Sequence, residues 1–147
     1  TMTVTISESI TLNGKNQGGT QTLSIPSIAT VSRRIIDVPA SEVEILAMST
    51  AVAAGTFIES DVLYIRITNL DDTNHVTLLF KNENNDEFAV KLDKGQTFIY
   101  NGDLSGGVVD TMDADSSALS VLLGDLVNVT ATADTAACDV EVFVACK

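Results

Sequence analysis

The chain has 147 residues, 45% of them apolar, with five Phe, two Tyr and no Trp, and a formal net charge of −12 from 8 basic and 20 acidic residues. A chain of this length forms one domain that hides roughly 70% of its unfolded surface, so it needs neither a metal nor a disulfide framework to fold. The charge repels phosphate backbones and excludes nucleic acid as a partner, and the scattered acidic residues read as a solvated surface.

Residues 3–12 (TVTISESITL) alternate, with Val4, Ile6, Ile10 and Leu12 on one side and Thr and Ser on the other. This predicts a first strand, interrupted on its apolar face only by Glu8. The opening residues have neither a basic lead nor a continuous apolar run, so neither a signal peptide nor a membrane span is expected. Residues 13–19 (NGKNQGG) supply a glycine-rich loop. The alternation resumes over residues 23–38, where Pro26 marks an edge or a bulge and a change of parity at residues 32–36 suggests another bulge. Arg33 and Arg34, the only adjacent basic residues, are expected to pair with local carboxylates. Residues 39–55 fit both a capped helix and a strand. The strand, from about residue 42 to 49, is preferred because its neighbours are strands.

The clearest pattern lies in residues 61–92, where three runs alternate in turn. Leu63, Ile65 and Ile67 share one face of the first, Val76, Leu78 and Phe80 of the second, and Phe88, Val90 and Leu92 of the third. Between them stand DDTN and NENND, whose short polar side chains bond their own backbone, so the segment predicts a β-meander. Residues 97–100 form a short strand, residues 101–117 a loop, and residues 116–123 a strand or a helical turn. Two strands close the chain, at residues 126–133 and 138–145, joined as a hairpin by residues 134–137. Eight to ten short strands with turns every 8 to 12 residues or so give an all-β, single-domain antiparallel β-sandwich spanning residues 1–147, jelly-roll-like in form.

Cys138 and Cys146 sit on one strand, about 26 Å apart if it is straight, and cannot bridge to one another. Their parity matches Val140, Val142 and Val144, which predicts buried free thiols and a reducing site of folding.

The residues offer little to catalysis. His75 is the only histidine, at the mouth of a strand on its polar parity, and no nucleophile stands in a recognised setting around it. A glycosidase lacks its aromatic platforms, and one His with two same-strand cysteines makes no zinc set. The acidic stretches at residues 71–74 and 110–115 offer hard oxygen ligands for calcium without the EF-hand form. Turn chemistry explains the first and solubility the second, so no cofactor, metal or enzymatic activity is expected. The sequon at Asn128 matches a glycosylation signal only formally. Leu46, Met48, Tyr64, Leu79 and Phe143 are apolar on faces otherwise polar, which suggests an oligomer interface.

Three segments carry a family resemblance: YIRITNLD at residues 64–71, GQTFI at residues 95–99 and DVEVFVA at residues 139–145. In these the chain resembles small virion structural proteins of tailed bacteriophages of marine and cyanobacterial hosts. The resemblance implies a non-enzymatic capsid decoration or cement protein, made in the host cytoplasm and bound to the major capsid protein on the outer surface of the virion. It further implies a homo-oligomer, a trimer over a local symmetry axis, with no nucleic-acid or membrane partner. The alternative is a receptor- or carbohydrate-binding β-sandwich module of a tail or fibre assembly.

Overall fold

A computed structural model describes residues 1–102, 110–111 and 123–147. The strands, in order, are β1 (Met2–Ser7), β2 (Thr11–Leu12), β3 (Lys15–Asn16), β4 (Thr20–Ile25), β5 (Thr30–Val38), β6 (Val43–Ser49) and β7 (Phe57–Ile58). After a single 3-10 turn (Glu59–Asp61) come β8 (Val62–Asn69), β9 (Val76–Asn82), β10 (Glu87–Leu92), β11 (Thr97–Asn101), β12 (Asp110–Thr111), β13 (Gly124–Ala133) and β14 (Cys138–Cys146). The predicted acidic stretch at residues 112–115 and the element at residues 116–122 lie outside the described residues.

Two sheets face each other as a β-sandwich. One has the order β11-β8-β14-β5, and the other β10-β9-β13-β6-β7 with β12 beside β13. Apart from the short parallel β6–β7 contact, neighbouring strands run antiparallel. Val38, Ile65, Ile67, Val140, Val142 and Val144 from the first sheet meet Ile45, Leu78, Phe80, Val129 and Ala131 from the second. Aliphatic side chains interdigitate between inner faces about 10 Å apart. The exception is an aromatic cluster at one side. Phe80 is fully buried and its ring centroid lies 4.7 Å from Phe88, 5.1 Å from Phe98 and 5.7 Å from Tyr100. Since Phe98 and Tyr100 belong to β11 and the other two to β9 and β10, the cluster ties one sheet to the other.

The first sheet is apolar on its second face as well. Leu63, Tyr64 and Ala145 are buried there beneath a ribbon formed by β1 and β4, whose Met2, Val4, Leu23 and Ile25 supply the cover. Past this contact the ribbon runs on into solvent. Residues 5–22 are exposed apart from Gly18, and β2 and β3 make a small hairpin at the tip. Gly18 is held against the arm: a Cβ there would lie 1.9 Å from the Glu8 carbonyl oxygen.

Four local expectations change. The predicted meander is not continuous, because β8 pairs with β11 and β14 while β9 pairs with β10 and β13. Alternation shows which side chains turn inward, not which neighbour a strand takes, and the linker of residues 70–75 is long enough to cross between sheets. The link of residues 134–137 likewise crosses from β13 to β14 instead of closing a hairpin. The first strand ends at Ser7, which leaves Ile10 and Leu12 on the arm. No bulge occurs at residues 32–36, since β5 keeps register with β14 from Thr30 to Val38. The change of parity there reflects an exposed Ile35. Bulges fall elsewhere, with an extra residue at Ile45 in β6, Leu63 in β8 and Val127 in β13.

Asn69 organises the crossing after β8. It is fully buried, yet its Nδ2 donates to the carbonyls of Asn74 at 2.9 Å and Leu92 at 3.1 Å, and its Oδ1 accepts from the Asp71 amide. Every polar group of its amide is thereby satisfied, which is the condition for burying it.

Truncation of Phe80 to Ala removes the hub of the aromatic cluster and should cost about 3–5 kcal/mol, read as a lower midpoint in denaturant unfolding. Both cysteines are buried and free, and burial, with Asp61 nearby, pushes the Cys146 thiol up to about 11. Thiol titration should therefore find both groups in denaturant and neither in native buffer at neutral pH.

Candidate interaction surface

The first sheet turns part of its outer face to solvent beyond the edge of the β1–β4 ribbon. Strand alternation places Asp139, Glu141 and Phe143 of β14 on that face, the two carboxylates being the charged interruptions of an otherwise apolar run. Cross-strand register then fixes their neighbours. Phe143 lies between Arg33 of β5 and Arg66 of β8, and Glu141 between Ile35 and Thr68.

Glu141 is almost fully covered, with its side chain 8% exposed. Its two oxygens take one arginine each. Arg33 donates from Nε at 2.8 Å to Oε2, with its Nη2 2.7 Å from the same oxygen, and Arg66 donates from Nη2 at 2.9 Å to Oε1. The Arg33 hydrogen bond, opposed by desolvation and reinforced by Arg66, holds the carboxyl below the usual glutamate range. Arg66 also lies over the Phe143 ring, 5.1 Å from its centroid, and Tyr64 meets that ring edge-on at 6.1 Å. Two cations around one carboxylate leave this patch with net positive charge in an acidic protein.

The residues expected at an interface separate into two groups. Leu46, Met48 and Tyr64 are buried inside the chain, between 3% and 5% exposed, so the expectation that they lie on a wet face is corrected. The Ile45 bulge turns Leu46 and Met48 into the core, and the N-terminal ribbon covers Tyr64. Leu79 and Phe143 remain half-buried on outer faces, and they lie on different sheets. Arg33 meets the expected carboxylate, Glu141. The apolar residues that do face solvent include Ile10, Leu12, Val31 and Ile35. For Ile35 the sequence signal is the odd parity of residues 32–36, which a bulge would equally produce.

His75 is half-buried, with Nδ1 3.6 Å from Asp134 Oδ2. In the first acidic turn, Asp71 Oδ1 accepts the amides of Thr73 and Asn74, which holds its carboxyl below the usual aspartate range. That oxygen is committed to the turn. Asp71 and Asp72 border an open acidic cleft with Asp37 and Asp139, at one end of the sandwich. Among the described residues, no group of His, Cys, Asp or Glu is arranged to hold a metal ion.

Because Glu141 is depressed in the folded state, its ion pairs stabilise the protein above the ordinary glutamate pKa of about 4.3 and cease to do so as pH falls through the lower folded value. Glu141→Gln should cost about 1–2 kcal/mol at pH 7, an intermediate figure because Glu141 is buried while Arg33 is largely exposed. The gap between the two proteins in thermal unfolding should begin to narrow as pH falls below the ordinary glutamate value of about 4.3 and close only below the lower folded value, where the wild-type carboxyl also loses its charge.

Comparison with known proteins returns no matching family model and no curated relative.

Proposed function

We propose that this protein is a non-enzymatic virion structural protein of the decoration or cement class, which binds the major capsid protein on the outer surface of a phage shell and stabilises it. Three properties support the reading. The first is the family resemblance carried by residues 64–71, 95–99 and 139–145. The second is connectivity. Taken in sequence order, the eight long strands β5, β6, β8, β9, β10, β11, β13 and β14 give sheets ordered first-eighth-third-sixth and second-seventh-fourth-fifth, an arrangement we read as a jelly roll. Such double-sheet folds recur in viral capsid and lectin domains. The third is the N-terminal arm, and it carries the proposal.

The arm is a β-ribbon anchored at its base by Met2, Val4, Leu23 and Ile25 and bare at its tip. Ile10 and Leu12 are 49% and 61% exposed, and Ile6 continues the apolar side of the ribbon into solvent. An apolar, projecting hairpin on a rigid sandwich is suited to lie in a seam between neighbouring shell subunits. Many copies with modest contacts would then act together through avidity. The net charge of −12 suits an outer surface, away from packaged DNA.

Particles stripped of the protein should keep their genome under mild conditions and release it at a lower temperature than complete particles. Re-addition should restore the release temperature. The Ile10→Asp/Leu12→Asp variant should bind stripped particles at least about tenfold more weakly while unfolding at the wild-type temperature, since burial of each side chain is worth about 1.5–3 kcal/mol. If stripped and complete particles release DNA at the same temperature while stripped ones fail to adsorb to cells, the receptor-binding module is the correct reading.

A further inference from the structure

Strand β5 closes one side of the first sheet, and it is an unusual edge. Natural edge strands are kept short, bulged, broken by proline or studded with charge so that their free amides and carbonyls do not recruit another chain, and of these devices β5 has only charge, in Arg33, Asp37 and the core-side Arg34. The other terminal strands are shorter, with six residues in β10, five in β11 and two in β7. In contrast, β5 runs for nine residues in unbroken register with β14, and its flanking prolines, Pro26 and Pro39, both lie outside it. Among the described residues its outward edge has no backbone partner. Its outer face carries Val31, Arg33, Ile35 and Asp37, with Val31 59% and Ile35 61% exposed.

We infer that β5 is a self-association edge, which pairs antiparallel with β5 of a second copy about a two-fold axis through Ile35. The two four-stranded sheets then form one continuous sheet of eight strands. Charge selects both the occupant and the register. A two-fold axis normal to the sheet keeps the outer face of both copies on the same side, so it passes through a residue and not between two. Centred on residue 33, 34 or 37, it sets Arg33, Arg34 or Asp37 against its own like charge. Centred on residue 36, it sets Ile35 against Asp37 and matches no charges. Centred on residue 35, it sets Arg33 opposite Asp37 twice and Ile35 against Ile35, combining the favourable cross-strand pairs.

The single chain also leaves a deficit that this pairing fills. Asp37 lies directly opposite Asp139 of β14, a like-charge pair across the ladder. Arg33 of the second copy arrives beside Asp37 and offsets it. Arg33 can do so while holding Glu141, because its side chain is 67% exposed and its guanidinium carries five donors. The inference rests on the strand edge alone and is independent of the virion reading, so the isolated protein tests it.

Light scattering at micromolar concentration and low salt should give the mass of a dimer. Asp37→Arg, which leaves the Glu141 contacts in place, should weaken association about tenfold or more by setting Arg against Arg33. Ile35→Cys should oxidise to a covalent dimer, whereas Ile36→Cys, opposite Arg34, should not; the two native thiols are buried and do not compete. A wild-type protein that stays monomeric, an Asp37→Arg variant that associates as wild type does, or a failure of Ile35→Cys to cross-link would each overturn the inference.

Discussion

Strand β8 buries side chains on both sides of its backbone. Val62, Ile65 and Ile67 face the opposing sheet, and Leu63 and Tyr64 face away from it. Its neighbour β14 repeats the pattern, with Val140, Val142 and Val144 on the inner side and Phe143 and Ala145 on the outer. A sheet with two dry faces needs two covers, and the second sheet supplies only one. The other is the β1–β4 ribbon, placed where Tyr64 and Ala145 would otherwise meet water. The N-terminal arm therefore owes its direction to this requirement, since its anchored base fixes the line along which its tip leaves the body.

Where the cover ends, charge takes over from apolar contact. Glu141 is buried on the same face as Phe143, and a carboxylate in that position is tolerated because each oxygen has its own guanidinium. Arg66 serves twice, as ion-pair partner to Glu141 and as a cation above the Phe143 ring. Asn69 solves the corresponding problem at the end of β8, where a buried amide without partners would cost more than the turn it holds together.

Much of this architecture is legible in the sequence, and its gaps have a physical cause. Period-2 alternation located β8, β9 and β10 because half-buried strands have one dry face and one wet face. The same alternation cannot tell a hairpin from a crossing, since a strand exposes the same parity whichever neighbour bonds its edge. A bulge is equally silent: one extra residue at Ile45 reverses the faces of Leu46 and Met48 without changing composition. Apolar residues of the wrong parity therefore suggest contact with another chain, whereas a bulge or the chain's own ribbon accounts for three of them. Exposed Ile35 gave the opposite error, and only the register with β14 separates it from a bulge.

The placement of the last two strands has a consequence for the order of folding. β14 lies between β8 and β5 in one sheet, and β13 between β9 and β6 in the other. Each sheet thus receives a central strand after all of its other strands have been synthesised. Until then β5 and β6 have no long partner, and the pairs that can form include β1–β4, β9–β10 and β8–β11. Consolidation of the sandwich must wait for contacts between residues far apart in the chain, the class of contact that forms slowly. During synthesis the growing chain accordingly passes through a stage in which β5 and β6 are made but lack their long partners, and it is then that association with the wrong neighbour is hardest to avoid.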